Sequence, residues 1–249
     1  MTRPSDRSFG LLGSGEFEPW AEEVDRWLLD RAGADGPVLV TPTASAPEGD
    51  GVFDRWGRLG LEHYERVGVA AEVLPLRTRE DAEDPAVAAW LDGASMVFFS
   101  GGNPVYLAAT LAGSPFWARL RERTHEGLAF GGCSAGVAFL GERAPDSSLA
   151  DPFAGDLWRP GLKAFGSAVF APHWDALDDH VPGLRRWIER SIGPRATLVG
   201  LDERTALIGD GRAWRVAGIG HVHLRRGGLW TTLHPGDEVA AGMLTASGA

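Results

Sequence analysis

Phe130-Gly131-Gly132-Cys133-Ser134-Ala135-Gly136-Val137-Ala138-Phe139-Leu140 is the stretch on which the reading of this chain turns. The apolar residues 128–130 lead into two glycines, and small residues follow Ser134 before the sequence becomes apolar again. Gly132-x-Ser134-x-Gly136 is the pattern of a nucleophile elbow, a strand–turn–helix that lifts a serine above the carboxyl edge of a sheet. The spacing has a steric reason: a turn that tight has no room for side chains two residues before or after the serine. A helix opening there would aim free N–H groups and the positive end of its dipole at a developing oxyanion. The same residues also suit a plain glycine-rich turn between a buried strand and a helix.

Working outward, the chain alternates strand and helix up to the elbow. Strands are predicted at residues 8–12, 37–40, 70–76 and 96–100. Helices are predicted at 18–32, 53–67, 84–93, 105–112 and 115–127, from apolar residues at helical spacing and from prolines placed in first turns. That rhythm is the signature of a parallel sheet covered on both faces. After the elbow it changes. Residues 142–160, rich in Asp, Pro, Gly and Ser, read as a long loop. A short strand at 168–171 ends in Pro172-His173-Trp174-Asp175, and 181–191 reads as helical. Strands at 197–201, 206–208, 214–216, 221–224 and 229–233 follow without helices between them, so they are expected to pair antiparallel at one edge. The fold expected is a single α/β domain over residues 1–249. It is a three-layer sandwich with a mostly parallel central sheet and an antiparallel C-terminal edge.

The composition agrees with such a domain and narrows its partners. The chain has 249 residues, 44% hydrophobic and 23% charged, enough to bury a sizeable core. A net charge of −10 without a basic patch gives no sign of a nucleic-acid or anionic-membrane partner. A single cysteine excludes intrachain disulfides and cysteine–zinc clusters. The first residues lack the apolar core of a signal peptide, and no run reaches the ~20 apolar residues of a membrane span. A cytoplasmic protein is expected. The ten tryptophans read as packing anchors.

Ser134 needs a base, and the base needs an orienting acid. Among seven histidines, His63 and His125 fall within helical patterns and read as surface residues. His221 and His223 alternate on one strand face, where they could ligate a metal, but no third ligand suggests itself and no metal is expected. His173 stands at the carboxyl end of a short strand, where open α/β sheets place their sites, although a core histidine fits there too. Ser100-Gly101-Gly102-Asn103-Pro104 ends another buried strand, and its N–H groups could join that of Ala135 as oxyanion donors. Glu16, after the first strand's glycine turn, can line the site and hold a substrate's α-amine, or simply begin a helix. Cys133 sits one residue before the elbow apex and points into the packing, a buried inert thiol.

These pieces carry a resemblance. The chain resembles the dipeptidase E / cyanophycinase family of serine peptidases, within the class I glutamine amidotransferase-like superfamily of flavodoxin-like α/β folds. The matching segments are Gly13-Ser14-Gly15-Glu16, Ser100 to Pro104, Gly132 to Gly136, Pro172 to Asp175, and Gly200-Leu201-Asp202-Glu203-Arg204-Thr205-Ala206. They occur in the family's order. The resemblance implies Ser134 as nucleophile, His173 as base, Gly102 and Ala135 as oxyanion positions, and Glu16 and Asn103 as substrate contacts. It places the acid in the loop between serine and histidine, which holds Asp146, Asp151 and Asp156. Asp151 is chosen for its spacing to His173. Asp175, two residues past the histidine, is the rival that the amidotransferase arrangement suggests, and Asp146 a further alternative. Cyanophycinases carry a polar pair before the histidine where this chain has Ala171-Pro172, which favours the dipeptidase side.

The function expected is hydrolysis of a small peptide, aspartyl or β-aspartyl among the candidates, through an acyl-enzyme and without metal or organic cofactor. Two other functions fit the same residues. One is a catalytically silent binding or regulatory protein of the same fold. The other is an amidase or amidotransferase-like hydrolase acting on a non-peptide substrate.

Overall fold

The computed structural model describes residues 7–153, 156–239, 242 and 244. Short apolar runs cut off by glycine, proline or a polar cap give the elements of the first half, in which one or two helices separate each strand from the next. They are β1 (Phe9–Leu12), α1 (Glu22–Leu29), β2 (Val38–Thr41), α2 (Asp50–Val67), β3 (Ala71–Val73), α3 (Arg79–Glu83), α4 (Pro85–Ala88) and β4 (Met96–Phe99). Next come α5 (Pro104–Leu111), α6 (Pro115–His125), β5 (Ala129–Cys133) and α7 (Ala135–Ala138). The local causes are visible. Asn103 and Ser114 accept the N–H groups of Tyr106 and Trp117, capping α5 and α6 just ahead of Pro104 and Pro115. Gly68, at φ 82°, closes α2.

The second half contains β6 (Arg143–Pro145), β7 (Trp158–Pro160), β8 (Ala168–Ala171), α8 (Leu177–His180), α9 (Leu184–Ser191) and β9 (Thr197–Leu201). It ends with β10 (Thr205–Gly209), β11 (Trp214–Gly218), β12 (Val222–Arg226), β13 (Leu229–Leu233) and β14 (Glu238–Val239). The central sheet has the order β14-β11-β10-β1-β5-β4-β2-β3. Strands β1, β5, β4, β2 and β3 run parallel, and β10, β11 and β14 add the antiparallel edge. Consecutive residues of one strand serve opposite faces. Leu11 and Phe99 join the core under α5, α6 and α7, while Leu12 and Phe98 join the core under α1 and α2. This is the three-layer α/β fold expected.

One part of the expected topology is corrected. The late strands do not all extend the central sheet. β9, β12 and β13 leave it and pair with β8 in a second sheet, ordered β13-β12-β9-β8, in which β8 and β9 are parallel. The reason is that this sheet has two apolar faces to cover. Phe170, Val199 and Leu224 face the main core. Val169, Ala171 and Leu198 build a satellite core with Trp158, Ile188 and Ile192. Smaller differences follow from breakers inside the predicted segments. Pro19 holds the start of the first helix to a 3-10 turn, and Gly183 separates α8 from α9. The loop at 142–160 contains the β6–β7 hairpin.

Candidate active site

The elbow has the predicted steric form. Ser134 stands between β5 and α7 at φ 52°, ψ −111°, a backbone conformation unfavourable for an L-residue. A Cβ on Gly132 would lie 2.1 Å from the carbonyl oxygen of Gly136, and one on Gly136 would lie 2.1 Å from that of Phe99. Either side chain would push the turn apart. The Ser134 N–H donates to Leu12 O at 3.1 Å, tying the apex to β1. The expected helix is a single turn, α7. Individual N–H groups, rather than a long helix dipole, therefore face Ser134.

His173 and Glu203 arrive together. β8 and β9 are parallel neighbours with Ala171 opposite Gly200, and each side chain lies two residues beyond its strand. His173 Nε2 is 2.9 Å from Ser134 Oγ, and Nδ1 is 2.9 Å from Glu203 Oε1. The pair is held from behind. A Cβ on Gly200 would meet the Trp174 ring at 2.6 Å, so the glycine makes room for that indole, and the Trp174 N–H donates to Leu201 O at 2.9 Å. Asp175 Oδ1 accepts the Glu203 N–H at 2.8 Å. Among the described residues the non-glycine positions with positive φ are Phe17, Ser134, Lys163, His173 and Arg204. All but Lys163 belong to or adjoin site residues, which is where backbone strain tends to be stored.

On the other side of Ser134 the Ser100–Pro104 turn comes close. Gly102 has φ 138°, and a Cβ there would strike the Ala44 backbone at 2.4 Å, so only glycine fits. Among the described residues, neither the Gly102 nor the Ala135 N–H has a hydrogen-bond partner. The Gly101 N–H is taken, donating to Glu16 Oε1 at 2.8 Å. A Cβ on Gly101 would meet that carboxylate at 3.2 Å and Ser134 Oγ at 3.9 Å, so this glycine keeps the space between the two open. Burial, then the Glu16 charge beside it, push the Cys133 thiol well above its usual range. Cys133 is fully buried in the core under α1 and α2, consistent with an inert thiol.

A family model described as Peptidase family S51 matches residues 9–216 of this chain. The chain belongs to peptidase family S51. It is a serine peptidase of that family, which bears out the resemblance. Among the curated relatives, the cyanophycinase of Trichormus variabilis is 29% identical over 225 residues, covering 85% of this chain and 71% of that protein. The cyanophycinase of Synechococcus elongatus is 32% identical over 152 residues, 56% of this chain and 46% of that protein. Among solved structures, a peptidase from an acI-B1 Actinobacterium superposes with a TM-score of 0.81 at 30% identity, covering 93% of this chain and 96% of that one. A putative peptidase E from Listeria monocytogenes EGD-e shares the fold at 16% identity, with a TM-score of 0.60 over 86% of this chain and 99% of its own.

Against this S51 framework, several sequence-predicted residues lie elsewhere. Asp151 does not reach His173. It is exposed on the loop before β7, where its Oδ1 accepts the Phe153 N–H at 2.8 Å and closes a local turn. Asp146 and Asp156 close turns of the same kind, on Ser148 and Trp158. Asp175 touches the Glu203 backbone rather than the imidazole. The carboxylate beside His173 Nδ1 is that of Glu203, not of Asp151. Glu203 falls within the segment Gly200 to Ala206 that carries the family resemblance. The signal that could have found it is its position just past the carboxyl end of a strand that can lie beside β8. Asn103 Oδ1 is committed to capping α5.

His63, read as a surface residue, is buried. Its Nε2 lies 2.7 Å from Asp25 Oδ2, an acid that Tyr64 Oη also reaches at 3.2 Å. His221 and His223 do have a third companion, Asp202, whose buried carboxylate lies 3.3 Å from His221 Nδ1 and 3.1 Å from His223 Nε2. These three, and the group His173, His180 and Glu203, are the described side chains whose ligand-type atoms cluster closely enough to hold a metal ion. Among the described residues no helix is long and apolar enough to cross a membrane.

Proposed function

We propose that this S51 peptidase hydrolyses a small peptide through an acyl-enzyme on Ser134, with His173 as general base and then acid and Glu203 as its orienting carboxylate. The observation that carries this reading is the continuous Ser134–His173–Glu203 relay, 2.9 Å at each step. Ser134 Oγ attacks the scissile carbonyl carbon while its proton passes to His173 Nε2. Glu203 accepts the Nδ1–H, fixing the tautomer and stabilising the imidazolium. The N–H groups of Gly102 and Ala135 receive the oxyanion. Nε2–H then protonates the leaving amine as the C–N bond breaks. A water repeats the sequence on the ester, releasing the acid and returning the proton to Ser134. No step calls on a metal or an organic cofactor. Glu16, beside the nucleophile through Gly101, is positioned to attract a substrate's α-amine.

The test is active-site labelling with a fluorophosphonate, alongside turnover of a dipeptide library. Ser134 should label, and Ser134→Ala should lower kcat by at least ~10³. Absence of labelling would favour a silent binding protein of this fold. Labelling with turnover confined to non-peptide amides would favour an amidase.

A further inference from the structure

A cavity of about 310 Å³ opens directly on Ser134, Ala135 and His173. That is near the lower end of the ~300–1,000 Å³ usual for ligand sites, so it suits one side chain or a short peptide. Its walls come from elements outside the relay. Leu149 lies on the loop before β7, Leu157 and Trp158 at β7, Phe170 on β8, and Leu184 and Ile188 on α9. Apart from His173, the one charged side chain on the described wall is Asp146. Its charge is already engaged: Oδ1 accepts the Ser148 N–H at 3.1 Å and hydroxyl at 2.5 Å, and Oδ2 lies 3.5 Å from an Arg159 nitrogen. Among the described residues no lysine or arginine lines the wall.

From this lining we infer that the pocket takes a large apolar side chain, leucine- or phenylalanine-like, flanking the scissile bond. The inference rests on the serine-peptidase reading and names its substrate class. An aspartyl or β-aspartyl carboxylate would enter without a cation to meet it. An arginyl group would find only a carboxylate already paired. Moving an ionised group into such surroundings without a partner costs far more than leaving it in water. An apolar side chain gains from leaving water in proportion to its buried area, enough for a preference of about 10–100-fold over alanine. The pocket wall continues into the satellite core of Trp158, Ile188 and Leu198, so its apolar character is built into the packing.

The experiment is protection of Ser134 from fluorophosphonate by dipeptides, with turnover of the same compounds measured in parallel. Phe-Leu and Leu-Leu are compared with Ala-Ala, Asp-Ala, β-Asp-Ala and Arg-Ala. The apolar pair should halve the labelling rate at concentrations at least ~10-fold below Ala-Ala and ~100-fold below the charged peptides. Leu184→Arg should narrow the gap to Asp-Ala while Ser134 still labels. Equal or better protection by Asp-Ala, β-Asp-Ala or Arg-Ala, or no protection by any peptide, overturns the inference. Failure of labelling in the unmodified enzyme would refute the serine reading separately. Calorimetric binding of the same dipeptides to the Ser134→Ala protein then decides the pocket question by the same ranking.

Discussion

Replacing Glu203 by glutamine keeps the size of the side chain and removes its charge. In the proposed mechanism, proton transfer from Ser134 creates an imidazolium 2.9 Å from the Glu203 carboxylate. Two unit charges about 4 Å apart at a protein surface attract by roughly 4 kcal/mol at an effective dielectric of about 20. The Glu203 side chain is 43% exposed, and that of His173 is 31% exposed. Solvent therefore screens the pair, and about half of that attraction is a reasonable working figure. A loss of roughly 2 kcal/mol corresponds to a fall in kcat of about 30-fold. This is well short of the ~10⁴ seen where a triad acid is buried. The assay is steady-state turnover of the best dipeptide at pH 7, with circular dichroism to show that the fold persists. Asp151→Asn should leave kcat within about twofold, since its carboxylate only closes a turn at Phe153. Asp175→Asn should do the same, because the amide oxygen can still accept the Glu203 N–H. If Glu203→Gln retains full activity while Asp151→Asn loses it, the relay as argued is wrong.

Cys133 should resist thiol reagents in the native enzyme and react only on denaturation, and Cys133→Ala should keep turnover within a few-fold; rapid native modification with loss of activity would contradict its burial. Gly136→Ala puts a Cβ 2.1 Å from the Phe99 carbonyl oxygen, so it should cost several kcal/mol or displace the elbow, read as a lower melting temperature and lost fluorophosphonate labelling. Asp202 supplies a pH test. Burial pushes its carboxyl up, but the hydrogen bonds from His223 and from the His221 backbone N–H outweigh this, and it titrates below its usual range. A depressed folded-state value stabilises the fold above the unfolded value of ~3.9, and that stability is lost as pH falls through the folded one. Asp202→Asn should therefore melt lower than the parent protein at pH 6–7, the gap closing below about pH 4; a gap that persists there would remove the carboxylate from the account.

Much of this was legible in the sequence, for identifiable reasons. The elbow was readable because its constraint is local: Gly132 and Gly136 are required by atoms within a few residues or on the next strand. The parallel half was readable because each strand there is separated from the next by a helix. His173 was placed by its strand end. The acid was not readable, because Glu203 meets His173 only through the pairing of β8 with β9, across 30 residues. A composition-rich loop holding Asp146, Asp151 and Asp156 looked functional, whereas its carboxylates serve their own turns. His63 was misread for a related reason. Helical periodicity marks a face, but only the distant Asp25 decides whether a histidine on it can be buried.

The two-sheet construction has a mechanical meaning. Ser134 is carried by the central sheet and His173 by the smaller one, while Glu203 sits in the turn that joins β9 of the smaller sheet to β10 of the central one. The His173–Glu203 contact follows from the pairing of β8 with β9, while the His173–Ser134 contact crosses the seam between the two sheets. Glu203 thus ties the two sheets together beside the site, so the alignment of His173 on Ser134 depends on how the sheets pack. Packing substitutions at the seam, far from any reacting atom, would then act on rate as a change in alignment rather than in chemistry.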